Sequence, residues 1–313
     1  MAVTALEIKS RLPFAGGMEF GGVGAYQQLD GTVHFAVDPD DSANSSITDL
    51  KLAPRDDAGL VHFTSDFRIL CPAQPESGNG RILLDVLNRG RIRALSYFNR
   101  APDTALNEPL EAGNGFLMRQ GYTVVWCGWQ HDVPQTPGLM RINVPGAMAS
   151  GVPVTGKLSF GFQPDADSPM QELADRLHVP YQTNDVNDAN AVLSVQEHAD
   201  APLQAIPRGK WSFARQEGGQ QVPDSSHIYM SEGFQAGKVY RLVYTTTGAP
   251  VIGLGFLATR DLVSYLRYDT NQEGNPCAGN IERAYTFGAS QSGGYLRRFL
   301  YLAANLDETD RTV

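Results

Sequence analysis

Cysteine is scarce in this chain. Cys71, Cys127 and Cys277 are the only three, an odd number without C-x-x-C spacing. That argues against a thiolate metal site, and no metal is expected. Cys127 sits in an apolar run and reads as a small buried hydrophobe. Basic charge is also short: 25 Lys and Arg stand against 34 Asp and Glu, a net charge of −9. A nucleic-acid partner calls for a basic face and is therefore not expected. Arg89, Arg91 and Arg93 do cluster, but briefly and locally. No stretch approaches the ~18 consecutive apolar residues of a membrane span, so no membrane partner is expected. The first ten residues hold no apolar run of leader length, which makes the cytoplasm the expected compartment. A mature chain stripped of its leader reads the same way. Internal repeats and low-complexity tracts are absent, and oligomeric state is left open.

What is present is ordinary globular composition: 42% hydrophobic and 19% charged over 313 residues, with 32 Gly and 19 Pro. So many turn residues exclude a purely helical protein. The length suits one large α/β domain or two smaller ones. Residues 1–70 read as a β-rich extension, with strand composition at Val33–Val37, Leu60–Thr64 and Phe67–Leu70, and turns at Gly16-Gly17, Gly21-Gly22 and Asp30-Gly31. Residues 71–139 read as the first part of an α/β core. Arg81–Leu87 is a nearly continuous apolar run, as in a strand buried on both faces. A helix over 107–120, a C-cap at Gly121 and a strand over Tyr122–Cys127 complete a βαβ unit.

Residues 140–240 break this pattern and read as a β-rich insertion or lid. Strands are expected at Val152–Phe160 and Lys238–Tyr244, and a short helix at Gln171–Leu177. Its aromatics Phe160, Phe162, Trp211 and Phe213 suit an apolar pocket or the insertion's own small core, and the core is preferred. Residues 241–313 return to the core. Leu257–Tyr268 has helical apolar spacing, with Thr259 as its expected cap, and Ile281–Phe287 is the next strand.

That last strand runs into Gly288-Ala289-Ser290-Gln291-Ser292-Gly293-Gly294 and then an amphipathic stretch. Strand, tight turn with a serine among small residues, helix: this is the layout of a nucleophile elbow. A serine hydroxyl needs a base to take its proton and donors for the oxyanion. The turn lifts the side chain above the sheet and aims helix N-terminal N–H groups at the developing charge. Two registers compete. With Ser290 as nucleophile, Gly288 is the small residue at −2 and Ser292 the one at +2; with Ser292, these are Ser290 and Gly294. Ser290 is preferred, because the strand ends at Phe287 and Gly288 is placed for the sharp turn. Gln291 then supplies the first oxyanion N–H. Asn88-Arg89-Gly90, after the Arg81–Leu87 strand, is placed to supply the second, although Gly90 equally suits a plain turn. Arg89 is available to an anionic substrate group or to a salt bridge.

With these residues in view, the chain resembles the bacterial α/β-hydrolase domain proteins whose elbow is spelled G-x-S-Q-S-G. The blocks that carry the resemblance are Phe20–Tyr26, Ile47–Arg55, Leu87–Gly90, Trp211–Phe213, Gly233–Gly237, Gly253–Leu262 and Gly288–Gly293. It implies an α/β-hydrolase-like, mostly parallel sheet with helices on both faces, a β-rich N-terminal extension and esterase-like activity on a small ester or acyl substrate without a cofactor. Two departures stand out. Family members often carry Arg after the S-G, where this chain has Gly294, and the family sequence continues well past the helix after the elbow.

In that fold the triad acid and histidine follow the serine. All six histidines, His34, His62, His131, His178, His198 and His227, precede Ser290. His131 follows a core strand, where it suits either a pocket wall or, as preferred, an exposed loop. Asp307, Glu308 and Asp310 read as a solvated tail. The Asp or Glu and the His are therefore expected beyond residue 313, with the C-terminal part of the fold missing from this chain. The alternatives are a non-catalytic binding or scaffold protein, or an inactive fragment. A nucleotide-binding reading of Gly253–Ala258 as G-x-G-x-x-A rests on a lone match, and close helix packing explains those glycines better.

Overall fold

Five strands and the one that precedes Ser290 line up as one sheet in the computed structural model, which describes residues 2–103, 106, 108–176 and 178–313. The strands are β1 (Val3–Pro13), β2 (Tyr26–Val37), β3 (Val61–Pro72), β4 (Arg81–Asp85), β5 (Thr123–Cys127) and the elbow strand Arg283–Phe287. Their spatial order is β1-β2-β3-β5-β4-elbow strand. β3 alternates buried and half-exposed residues over most of its length, while β4 from Ile82 and all of β5 are buried continuously. That is how the apolar run at 81–87 makes a central strand.

The sheet corrects the expected fold class. β1–β2, β2–β3 and β3–β5 pair antiparallel; only β5–β4 and β4 with the elbow strand are parallel. Strand accounts for 37% of the structure and helix for 18%, with four α-helices among the described residues. This is a β-rich architecture with several small antiparallel sheets, not a mostly parallel sheet flanked by helices. The reason is local. The long strands β1, β2 and β3 follow one another without an intervening α-helix, and parallel neighbours require a crossover that these loops do not make. Asp30-Gly31, expected as a turn, lies inside β2. Gly31 sits beside a bulge in β1, where a Cβ would stand 1.9 Å from the Glu7 carbonyl oxygen.

The helices are α1 (Ala94–Asn99), α2 (Phe116–Arg119), α3 (Leu254–Tyr268) and α4 (Gln291–Tyr301). The helix expected over 107–120 is thus only its last turn, because Gly113 and Gly115 take positive φ just before it; Asn107 lies outside the described residues. Gly121 closes α2 in a Schellman motif, with Gly121 N–H on Met118 O and Tyr122 N–H on Leu117 O. Thr259 does not cap α3. It lies inside the helix, with its hydroxyl 2.7 Å from the Tyr295 hydroxyl. Gly253 and Gly255 serve close packing: a Cβ would stand 2.9 Å from Thr48 O and 2.4 Å from Trp129 O, respectively. No helix among the described residues is long and apolar enough to cross a membrane.

The inserted residues Gly146–Pro250 form a second compact unit. Val192–Gln196, Val239–Thr247, Thr155–Phe162 and Gln204–Ile206 make a four-stranded antiparallel sheet. Trp211, Phe213, Phe234, Tyr240 and Tyr244 are buried in this unit's core, and Phe160 and Phe162 pack on it. The helix expected at Gln171–Leu177 is not formed. Ser168–Glu172 is a strand paired with His227–Phe234, and Leu177 lies outside the described residues.

The segment after α4 also departs from expectation. Asp307 is not solvated: it is 3% exposed and accepts bonds from the Ser264 hydroxyl (2.6 Å), Arg311 Nε (2.9 Å) and two backbone N–H groups. Burial alone would raise its pKa, but these donors hold the carboxyl well below the usual range. Stability from Asp307 is therefore full above the unfolded carboxyl's pKa of about 4 and is lost as pH falls through the lower folded value. Asp307→Asn is expected to flatten the acid limb of a urea-midpoint profile between about pH 4 and 2. An unchanged acid limb would show that the network carries no net stability.

Candidate active site

The elbow strand reaches the site in parallel register with β4, Phe287 opposite Asp85, and Val86 N–H bonds Phe287 O at 2.9 Å. The chain then turns through Gly288 and Ala289 into Ser290. Ser290 has φ 59 and ψ −120, a conformation that side-chain-bearing residues rarely adopt. It is exposed, and its hydroxyl makes no hydrogen bond among the described residues. Two carbonyls at the turn are used at once, Ala289 O by Ser292 N–H (3.2 Å) and Ser290 O by Gly294 N–H (3.0 Å). A Cβ on Gly288 would stand 2.7 Å from both Ser292 C and O, and one on Gly293 would stand 3.1 Å from Gly288 O. Those two glycines are what lets strand and helix approach closely enough to hold Ser290 where it is.

Ser292 is placed differently. It is fully buried in the first turn of α4, and its hydroxyl donates to Leu87 O at 2.9 Å. The same carbonyl accepts Trp129 Nε1–H at 2.7 Å. Ser292 thus fastens the elbow helix to the end of β4, while Ser290 is the serine presented outward. Gln291 occupies the first helical position, and its N–H has no acceptor among the described residues. Its side-chain Oε1 is buried without a donor.

The structure brings Asn88, Arg89 and Gly90 to this elbow. Asn88 Nδ2 donates to Ala289 O at 3.1 Å, directly before Ser290. Asn88 and Arg91 exchange backbone bonds of 2.9 and 3.1 Å, which closes a two-residue turn. Arg89 (φ 50) and Gly90 (φ 78) both sit at positive φ, as a type I′ turn requires. Gly90 has no room for a side chain, since a Cβ would stand 2.8 Å from Val133 Cγ1 and 3.0 Å from Met140 O. The Arg89 and Gly90 N–H groups have no acceptor among the described residues. The turn therefore carries two free N–H donors next to Asn88, the residue bonded to Ala289 O.

Asp85 is a residue that the sequence pattern did not single out. It is fully buried at the end of β4, and its Oδ2 accepts Arg93 N–H, Ala94 N–H and Trp126 Nε1–H, each at 2.6 Å. These bonds anchor the start of α1 and the far end of the 88–93 loop. Burial raises the carboxyl's pKa while the three donors oppose the rise. The signal was an acid inside an otherwise apolar run.

No histidine bonds Ser290 among the described residues. His34, His62 and His227 pair with Glu7 (3.3 Å), Asp56 (2.6 Å) and Asp224 (3.0 Å). His131 is half-buried rather than exposed, and its Nδ1 is enclosed without a partner. Burial, then Arg141, lowers its pKa and keeps the ring neutral. Asp307 is committed to α3 and Arg311 and is not available as a triad acid. A cavity of about 650 Å³ lies beside the β1 end, with Phe14, Arg91, Arg93 and Leu95 in its wall. Ser290 does not line it, so cavity size and elbow chemistry point to different places; the backbone geometry is the more specific sign of chemistry. Comparison with family models, with curated proteins and with solved structures returns no match for this chain.

Proposed function

We propose that the protein is a serine acyl hydrolase of the esterase kind, with Ser290 as nucleophile. The observation that carries this reading is the backbone of Ser290, at φ 59 and ψ −120 and exposed at the head of α4. Such strain costs roughly 1–3 kcal/mol and persists only where its surroundings enforce it. Here Gly288, Gly293 and the Ser292–Leu87 bond do so. In the reaction, Ser290 Oγ bonds to the ester carbonyl carbon and its proton passes to a general base. The carbonyl oxygen takes up negative charge facing Gln291 N–H and an N–H of the Asn88–Gly90 turn. The carbon–oxygen bond to the alcohol then breaks, and the alcohol leaves with the proton. Water repeats the sequence on the acyl-serine and restores the hydroxyl. The base that this reading requires is not among the residues bonded to Ser290 in the described structure.

A second reading, a non-catalytic binding protein, is favoured by the lack of any histidine bonded to Ser290 among the described residues. Fluorophosphonate labelling separates the two, because the probe reports an activated serine. Mass mapping is expected to place the adduct on Ser290. Ser290→Ala should abolish it, and Ser292→Ala should keep it. A protein with native near-UV dichroism and no adduct on Ser290 would favour the binding reading.

A further inference from the structure

Arg89 is the anomalous side chain of the elbow. Its backbone is pinned at φ 50 by the reciprocal Asn88–Arg91 bonds and by Gly90 wedged against Val133 and Met140. Its Nε is buried and has no acceptor, and its guanidinium makes no ion pair among the described residues. Buried donors are nearly always satisfied by protein, water or a bound group, so this orphaned N–H calls for an acceptor that the described residues do not supply. The chain has acids to spare, with a net charge of −9, yet none among the described residues is set against this cation. Arg93, four residues on, does have a carboxylate partner in Asp103 at 3.4 Å. Position adds to the case, because the neighbouring Asn88 side chain bonds the carbonyl of Ala289, one residue before Ser290. An acceptor that fills the Nε–H and an adjacent Nη–H together is a carboxylate in fork geometry.

We infer that Arg89 is the anion-recognition residue of this site, and that its substrates are esters carrying a free carboxylate a few bonds from the scissile carbonyl. The inference rests on the reading of Ser290 as nucleophile for the word substrate, but not for the binding itself.

The test uses the 313-residue chain and two compounds that differ by one charge, monomethyl succinate and dimethyl succinate, with inorganic phosphate as a third. Calorimetry is expected to show the monoester binding at least roughly ten-fold tighter than the diester, the scale of one charge-assisted bond. Arg89→Asn should bring that ratio to about one; it removes the charge and leaves an Asn-Gly pair, the sequence a type I′ turn prefers. Arg89→Lys should restore part of the ratio. The monoester should also slow fluorophosphonate labelling of Ser290, and the diester should do so less. Equal affinity for the two esters, a ratio unchanged in Arg89→Asn, or phosphate binding tighter than the monoester would overturn the assignment. Calorimetry reads Arg89 whether or not Ser290 reacts. Arg89-dependent binding in a chain whose Ser290 takes no label would therefore overturn the nucleophile alone.

Discussion

Arg260→Met is expected to lower the unfolding free energy by about 3–5 kcal/mol, the cost of leaving a buried charge without its partner. Arg260 is fully buried within α3. Its Nε and Nη2 fork onto Asp261 at 2.7 and 3.1 Å. Nη2 also reaches Asn44 Oδ1 at 2.9 Å, and Nη1 reaches the carbonyls of Ala43 and Leu306, both at 3.3 Å. One guanidinium thus joins three stretches of chain that are far apart in sequence. Removing it strands Asp261, whose pKa burial already pushes up to about 6 against the pull of Arg260. A carboxyl with a raised folded pKa favours folding when protonated, and that contribution is lost as pH rises through the folded value. The deficit of Arg260→Met should therefore be larger at about pH 8 than at about pH 5.5. Urea unfolding at both values checks this. Arg260→Met with Asp261→Leu should cost less than Arg260→Met alone, since no charge is then stranded. A single variant within about 1 kcal/mol of the parent would mean that the network is replaceable by water.

Gly288→Val carries the second large effect, on the site itself. The added Cβ meets Ser292 C and O at 2.7 Å, and both are backbone atoms that cannot swing aside. Strand and helix must part, and Ser290 leaves its present φ and ψ. We expect the second-order rate of fluorophosphonate labelling to fall by roughly 10²-fold, the scale of a 1 Å misplacement of a reacting group. Overpacking should also remove about 1–3 kcal/mol of stability. The matched control is Gly294→Ala. Gly294 is an exposed helical glycine with nothing within 4 Å of its would-be Cβ. Alanine there should stabilise by roughly 0.5–1 kcal/mol and leave labelling unchanged. Labelling of Gly288→Val at the parent rate would sink the elbow account of this turn.

The strand–turn–helix layout around Ser290 was legible because its requirements are local. An apolar run bounded by turn residues, glycine before serine, and a periodic stretch after it all leave marks within a dozen residues. The same locality places α3 near its expected limits. Pairing direction is not local. The alternation in β3 shows that one face is buried, but nothing in it says that Phe67–Leu70 will bond to Val124–Cys127 antiparallel. For that reason the three long strands read as an extension apart from a parallel core, when they belong to one sheet with it. Gly31 was misread because glycine signals both a turn and a close backbone approach, and only the position of Glu7 decides between them. Asp307 looked like solvated charge because polarity in sequence does not reveal partners that fold back upon it.

The links between the 88–91 turn and the elbow have a temporal side. The Asn88–Ala289 and Ser292–Leu87 bonds span 201 and 205 residues of chain. During synthesis at about 5–20 residues per second, β4 would emerge roughly 10–40 s before the strand that covers its outer side. Its apolar residues Ile82–Leu84 are buried in the finished sheet, so until then the edge of β4 away from β5 keeps open hydrogen-bonding groups. The donors of the 88–91 turn and the serine thus meet late, and the newborn chain carries an open strand edge while the roughly 200 intervening residues are made.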